Sequence, residues 1–426
     1  MSGLSRLLLC LCLLAGARSA PLYAAAEPHG KRYLAAADAP VPVAGAAFTP
    51  EPPLAPADLR RRVTQLREQA REQEFGAGPY AARLGETLAD LARALDSVGD
   101  AEGALEARER ALHLIRINDG LYSARQGPVL RDLLNSFRER EDYVALDERY
   151  SYFFRLFGAA RAPYTELRWR AAMEYFNWQR EALLLNVDGD PRRRLVELHT
   201  LQDDRRQALL ERAGEEWVAL REISLSQLAT LYLIEEEIDI PELLYDPRTQ
   251  RRRREDPLDF DPMQERVENL KNSSRSRGRS LLEEALEANP GAAPRERAEL
   301  QLALADWLQW HGSTRSAREV YEDAWKTLTE AGLTQLREEY FEQPVPLPAA
   351  PVFFIADSPL GPPLSCRLDV SISGRARVRD CSGTGDGGSL TLLRRLLQAS
   401  RFRPVFRDGQ PLAVDDIETR WRLRED

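Results

Sequence analysis

One pattern limits this chain more than any other. Leu88, Leu91, Ala92 and Leu95 mark the buried stripe of a helix, Gly99 marks a turn, and Ala104 and Ala111 mark the packing face of a second helix. Adding 42 to each number gives Leu130, Leu133, Leu134, Phe137, Glu141, Leu146 and Phe153, so every helix position stays apolar and only the turn changes. A third copy reads Leu304, Ala305, Leu308, Gly312, Ala317, Tyr321 and Ala324. Small residues stand where two helices of a pair must approach, and large ones where they wedge apart. A single pair cannot bury such a stripe alone, so the pattern predicts stacked helix pairs, each covered by a neighbour.

Between the copies the helical period continues. Trp169, Ala172, Met173 and Phe176 share a stripe, as do Trp217, Leu220, Leu228, Leu231 and Tyr232. These helices read as longer than a 42-residue unit permits, which predicts irregular repeats. Leu281, Leu282, Ala285 and Leu286 before Asn289-Pro290 read as the second helix of a pair whose first helix is poorly defined. The pair from Pro294 to Gly332 has clear start and stop signals.

The predicted organisation is a leader over 1–19, a flexible Ala/Pro-rich segment over 20–55, and helical repeats over 56–238 and 263–341. A polar Arg/Pro-rich insertion over 239–262 separates the two repeat stretches. A Pro-rich linker over 342–363 leads to a small α+β domain over 364–426.

The leader reading rests on Arg6, the apolar run Leu7 to Ala15 and the small residues of Ala17-Arg18-Ser19, the make-up of a cleavable secretory signal. Nine apolar residues are too few to cross a bilayer as a helix. Cys10 and Cys12 raise a lipoprotein alternative, but they lie inside the apolar run. The expected compartment is the periplasm. The formal charge of −9 argues against nucleic-acid binding, and losing Arg6 and Arg18 with the leader would make it −11. Arg251 to Arg254 are the exception, and they sit in a stretch broken by Pro241, Pro247, Pro257 and Pro262, where a solvated insertion accounts for them.

Export gives Cys366 and Cys381 significance, because an even cysteine count in an oxidising compartment favours a disulfide over two buried thiols. They flank a hairpin signal of Leu368, Val370 and Ile372, then Ser373-Gly374, then Ala376 and Val378. A two-residue turn would set Cys366 opposite Cys381 but leave Val370 facing Arg377. A three-residue turn ending at Arg375 would pair Val370 with Val378 and move the cysteines out of step, and a bulge beyond Val378 would then restore the bridge.

On the residues above, the helix pairs resemble the tetratricopeptide repeat family, with Leu91, Ala92, Ala104, Ala111, Leu304, Ala305, Ala317, Tyr321 and Ala324 at its motif positions. Arg108 stands where an aromatic is usual and Leu146 where a small residue is, which predicts a more open second pair. The segment from Leu364 to Glu425 resembles the C-terminal domain of the TonB family. That likeness rests on the strand pair around Gly374, a helix over Ser389 to Ser400, the run Arg401-Phe402-Arg403-Pro404-Val405, a turn at Asp408-Gly409, and a last strand with Ile417, Trp421 and Leu423. The resemblance implies β-β-α-β-β order and contact with envelope partners, often along an exposed strand edge. The expected fold is therefore a mainly α solenoid followed by a small α+β domain.

Chemistry is thinly represented. His29, His113, His199 and His311 stand apart at no ligand spacing, Gly383, Gly385, Gly387 and Gly388 have no lysine to grip phosphate, and Glu235 to Glu237 lack calcium-loop spacing. No catalytic residue, metal or cofactor is expected. The first helices of the first two pairs would carry Arg93, Arg131, Asn135 and Arg138 on a concave face, where they could hold an acidic or carboxylate-ended peptide. Solvated arginines are the plainer reading of the same residues. The functional expectation is a non-enzymatic periplasmic adaptor that binds protein partners. The alternatives are a component of a TonB-type energy-coupled transport system and an envelope enzyme sited within 160–240.

Overall fold

The computed structural model describes residues 10–11, 29–35, 55–187, 190–237, 262–349, 361–384 and 387–423. These are mostly helical, with a small C-terminal sheet, and fall into two compact units. One consists of 45–182 with 186–189; the other consists of 190–426 with 183–185 and 1–44.

The first unit runs through α1 (Pro56–Ala77), α2 (Leu84–Ser97), α3 (Ala101–Asp119), α4 (Gly127–Glu139), α5 (Tyr143–Leu156) and most of α6 (Glu166–Leu184). Helices α2 and α3 pack on each other, and so do α4 and α5. Ala92, Ala104 and Ala111 are fully buried where the first pair touches, as are Leu130, Leu133 and Leu146 in the second. Helix α5 lies less closely on α4 than α3 does on α2, as the larger Leu146 at the Ala104 position predicts.

The turn is built identically where its sequence differs. The amide of Asp100 donates to Leu95 O (3.0 Å), that of Asp142 to Phe137 O (2.9 Å), and in the other unit that of Ser313 to Leu308 O (2.8 Å). This six-to-one bond closes a helix when the preceding residue is left-handed. Gly99 (φ 82°) and Gly312 (φ 73°) take that conformation freely, while Glu141 is held in it at φ 56°. Asp100 and Asp142 then cap the next helix, accepting from the amides of Gly103 (3.0 Å) and Ala145 (3.1 Å).

In the second unit come α7 (Pro191–Leu210), α8 (Ala213–Glu237, kinked at Glu216), α9 (Pro262–Ala288), α10 (Pro294–Trp310), α11 (Thr314–Glu330) and the short α12 (Thr334–Phe341). Helices α7 to α9 are long, as the irregular pattern predicts. A single continuous α9 replaces the expected two-helix unit ending at Asn289-Pro290. Gly278 on α9 makes room for Trp307 of α10, since a Cβ there would stand 2.4 Å from the indole ring. Helix α10 is enclosed from Ala298 to Gln309.

The C-terminal module comprises β4 (Leu364–Val370), β5 (Ala376–Gly383), α13 (Gly387–Ala399), β6 (Phe402–Arg403), β7 (Val405–Arg407), β8 (Gln410–Leu412) and β9 (Val414–Leu423). β4 lies between β5 and β9, antiparallel to both. Leu364, Cys366, Leu368 and Val370 alternate inward along β4, and Leu393, Leu396 and Leu397 of α13 are buried beside them. The Asp408-Gly409 turn joins β7 to β8 with both residues at positive φ, as tight hairpins require.

The hairpin register differs from both predicted alternatives. Val370 pairs with Ala376 and Leu368 with Val378, and the Ser371 amide donates to Arg375 O (3.0 Å). The loop is therefore Ile372-Ser373-Gly374, with Gly374 at φ 69° as its third residue. Glycine takes that left-handed position at no steric cost, which moves the turn one residue earlier than the apolar pattern suggested. A bulge at Arg379 then brings Cys366 opposite Cys381, and the two form a disulfide.

Two predicted boundaries need correction. Strand β3 (Val345–Pro346) lies inside the expected linker, pairs with β6, and leads to buried Leu347 and Ala349, so the start of 342–363 is packed structure and not a spacer. Within the segment read as flexible, β2 (His29–Ala35) pairs with the short β1 (Cys10–Leu11) and with β9 through Leu34–Leu423 and Ala35–Arg422. Backbone ladders need no large apolar side chains, so composition did not reveal it. The rest of the predicted leader and the insertion at 239–262, apart from Pro262 at the start of α9, lie outside the described residues.

Glu141 supplies a test of the repeated turn. Glu141→Gly is expected to stabilise the protein by about 0.5–1 kcal/mol, because it removes the left-handed penalty of a side-chain-bearing residue. Urea denaturation would register this as a higher midpoint at unchanged slope.

Candidate functional site

In the first unit the arginines singled out by the sequence do not share one role. Arg93 is exposed and pairs locally with Asp90 at 2.5 Å, and Asn135 is exposed. Arg131 reaches both carboxylate oxygens of Glu174 on α6 (3.1 and 3.0 Å) and lies 5.2 Å from the Phe153 ring centre. Arg138 makes a forked pair with Glu181 (2.8 Å on one arm) and sits 5.4 Å from the Trp178 ring centre. Both couples span 43 residues and repeat two turns apart along α4 and α6, forming an ionic ladder between neighbouring helices. Burial alone would lower the Arg138 pKa, but the Glu181 hydrogen bond and charge outweigh it and hold the guanidinium firmly ionised. Tyr150 beside it is pushed up to about 12 by burial and then by the Glu174 charge. The structure thus makes Arg131 and Arg138 interhelical ties, with the exposed Asn135 between them on the same face of α4, while Arg93 pairs within its own helix α2.

Arg108, at the usual aromatic position, is buried and donates to Ser136 Oγ (2.6 Å) and to Asp96. A different surface escaped the sequence reading altogether. Tyr80, Ile117, Leu121 and Tyr122 are large apolar residues left exposed around the C-terminal end of α3, where Asn118 Nδ2 donates to Tyr80 O (3.2 Å) and Tyr152 Oη to Leu121 O (3.3 Å). No helical period marks them, because they sit at a helix end and in loops.

In the second unit the dominant polar feature is a buried cluster joining α10 to the C-terminal module. Arg403 of β6 forms a two-armed pair with Asp306 of α10, Nε to Oδ1 at 2.9 Å and Nη2 to Oδ2 at 2.6 Å. Its Nη1 donates to Tyr340 O (3.2 Å), and Tyr321 Oη donates to Asp306 Oδ1 (2.7 Å). Both partners are at most 5% exposed. Around them Gln309 Nε2 donates to Phe402 O (3.3 Å), Phe402 N donates to Gly374 O (2.8 Å), and Phe406 packs on Tyr321 and Phe341. Gly374 admits no side chain, since a Cβ would stand 2.1 Å from Phe402 O.

The three histidines with described side chains do not converge. His113 is exposed, and the buried His199 lies 3.5 Å from Gln227 Nε2, its pKa lowered to about 4 mainly by burial. His311 Nε2 lies 3.2 Å from Glu235 Oε1. That carboxylate is held below its usual pKa despite burial, by the polar contacts of His311, Ser274 and Trp310. Ser274 gives its proton to Glu235 rather than to a histidine and is only 2% exposed, so this trio is no nucleophile relay. Among the described residues no group of three or more His, Cys, Asp or Glu could hold a metal ion, and no helix is long and apolar enough to cross a membrane.

No protein-family model and no curated relative matches the sequence. Among solved structures the chain is similar, at 16% identity and a TM-score of 0.33 over 67% of its length and 69% of the other, to a "circular tandem repeat protein with novel repeat topology and enhanced subunit contact surfaces".

Breaking the buried pair should be costly. Asp306→Ala leaves Arg403 charged and unpaired, an expected loss of about 3–5 kcal/mol, whereas Asp306→Leu with Arg403→Met should recover most of it. Denaturant titration of the single and double variants measures both. His199 gives a pH test: its folded pKa lies below the unfolded value of about 6.5, so the stability it carries is complete above pH 6.5 and is lost as pH falls toward 4. Relative to the parent, His199→Gln should flatten the stability profile between those limits, and an unchanged slope would refute the assignment.

Proposed function

We propose that this protein is a non-enzymatic adaptor of the cell envelope. It would use tetratricopeptide-like helix pairs and a TonB-family-like C-terminal module to hold protein partners in the periplasm. The observation that carries this reading is the Asp306–Arg403 cluster, which makes the module one body with its neighbouring helices instead of a free appendage. A fixed module presents a surface of constant shape, which is what a scaffold needs. The disulfide between Cys366 and Cys381 fits an oxidising compartment.

Docking by shape fits this module better than addition of a partner strand. The β5 edge carries Arg377 and Arg379 with a bulge at Arg379, features that blunt an edge, and the β9 edge is paired with β2. In the first unit the apolar surface of Tyr80, Ile117, Leu121 and Tyr122 is the better partner-facing candidate. Arg131 and Arg138 fit structural ties, because an acidic peptide would have to displace Glu174 and Glu181. Arg93 and Asn135 stay available to a partner.

Crosslinking in intact cells, followed by fractionation and identification of captured proteins, tests the proposal. Specific partners should be captured in the soluble envelope fraction. Tyr80→Ser with Tyr122→Ser should reduce capture, while Arg131→Ala with Arg138→Ala should lower the melting temperature and leave capture largely intact. Capture that requires the proton gradient and a membrane-anchored partner would instead favour TonB-type energy-coupled transport.

A further inference from the structure

Three arginines from three elements of the second unit gather at the turn between α10 and α11, and among the described residues no carboxylate is bound to any of them. Arg275 of α9 donates from Nη2 to Ser313 Oγ at 2.6 Å. Arg401, in the loop between α13 and β6, places its Nη2 3.6 Å from where a Cβ on Gly312 would stand. Arg375, closing the β4–β5 loop, faces Arg401 across an antiparallel bridge. Like charges set directly opposite each other repel, and neither has a counter-ion among the described residues. Arg401 is accordingly held below its usual pKa, by burial and then by Arg375. The nearby Glu235 is already engaged by Ser274, Trp310 and His311.

Two further features bear on the ligand. Ser313 spends its hydroxyl on Arg275 and makes no cap bond to α11, so the first-turn amides of that helix lack a side-chain acceptor beside the three cations. Ile372, in the same hairpin loop as Arg375, is 52% exposed. Guanidinium forks match carboxylates, and an apolar contact alongside them suits a peptide better than a free inorganic anion.

We propose that this corner, formed by Arg275, Arg375, Arg401 and Ile372, binds the carboxylates of an acidic peptide segment that also carries apolar side chains, supplied by a protein partner. Within the adaptor reading it names the chemistry of one partner contact. Binding would place an anion between Arg375 and Arg401 and relieve their repulsion.

The test uses the full chain and fluorescence anisotropy with a labelled peptide of alternating acidic residues and leucines. Its amide counterpart, with every acid changed to Asn or Gln, serves as the control, and inorganic phosphate as competitor. The acidic peptide should bind, weaken with added salt, and lose about tenfold in affinity for Arg375→Gln and for Arg401→Gln, the loss of one charge-assisted contact. Arg375→Gln should at the same time keep or raise the melting temperature, because a repulsion is removed, which a merely structural arginine would not do. Equal binding of the amide peptide, equal affinity in the variants, or binding of phosphate without the peptide would each overturn the site. Failure of the acidic peptide to bind the full chain, with partners still captured in cells through the Tyr80 and Tyr122 surface, would overturn this site while leaving the adaptor reading standing.

Discussion

A carboxylate and a guanidinium buried together impose a demand that the rest of the second unit must meet. Asp306 sits on a helix enclosed on all sides, and an isolated charge there would be prohibitively costly. Arg403 answers it with two parallel hydrogen bonds, Tyr321 adds a third donor, and Tyr340 O takes up another arm of the guanidinium. Such a pair adds little net stability over well-packed apolar residues, but removing either partner leaves an uncompensated buried charge. That pairing sets β6 against α10, draws β3 alongside β6, and seats the glycine of the β4–β5 loop against Phe402.

The first unit is held differently. Its helices meet through alanines and leucines, and its charged residues act as ties from helix to helix, Arg131 to Glu174 and Arg138 to Glu181. The contrast explains why arginine is so frequent in a chain with a net negative charge. Its fork satisfies a carboxylate with fixed geometry, and its guanidinium lies over aromatic faces such as Trp178. Against that background Arg275, Arg375 and Arg401 stand without a carboxylate partner among the described residues.

Much of the helical architecture was legible because periodic burial leaves a periodic trace. The positions around Leu91, Leu133 and Leu304 named the helix pairs, and even the poorer fit of Leu146 was readable as looser packing. The disulfide was legible too, through the even cysteine count and the need for a bulge. Local turn geometry was harder. Gly374 moved the hairpin register by one residue because backbone freedom, not apolar pairing, decides where a tight loop closes. The strand within 342–363 was hidden behind prolines that look like a spacer.

What the amino-acid order settled by itself is therefore repetition: helix stripes and the turns between paired helices, governed by interactions within a few residues. Tertiary structure alone decided which charges meet. Asp306 and Arg403 are 97 residues apart and Arg131 and Glu174 are 43 apart, and nothing local distinguishes them from the many solvated charges nearby. Pairing over such distances depends on how whole elements pack, which no short window of sequence encodes. Arg131 and Arg138, which read as part of a peptide clamp, became struts for that reason.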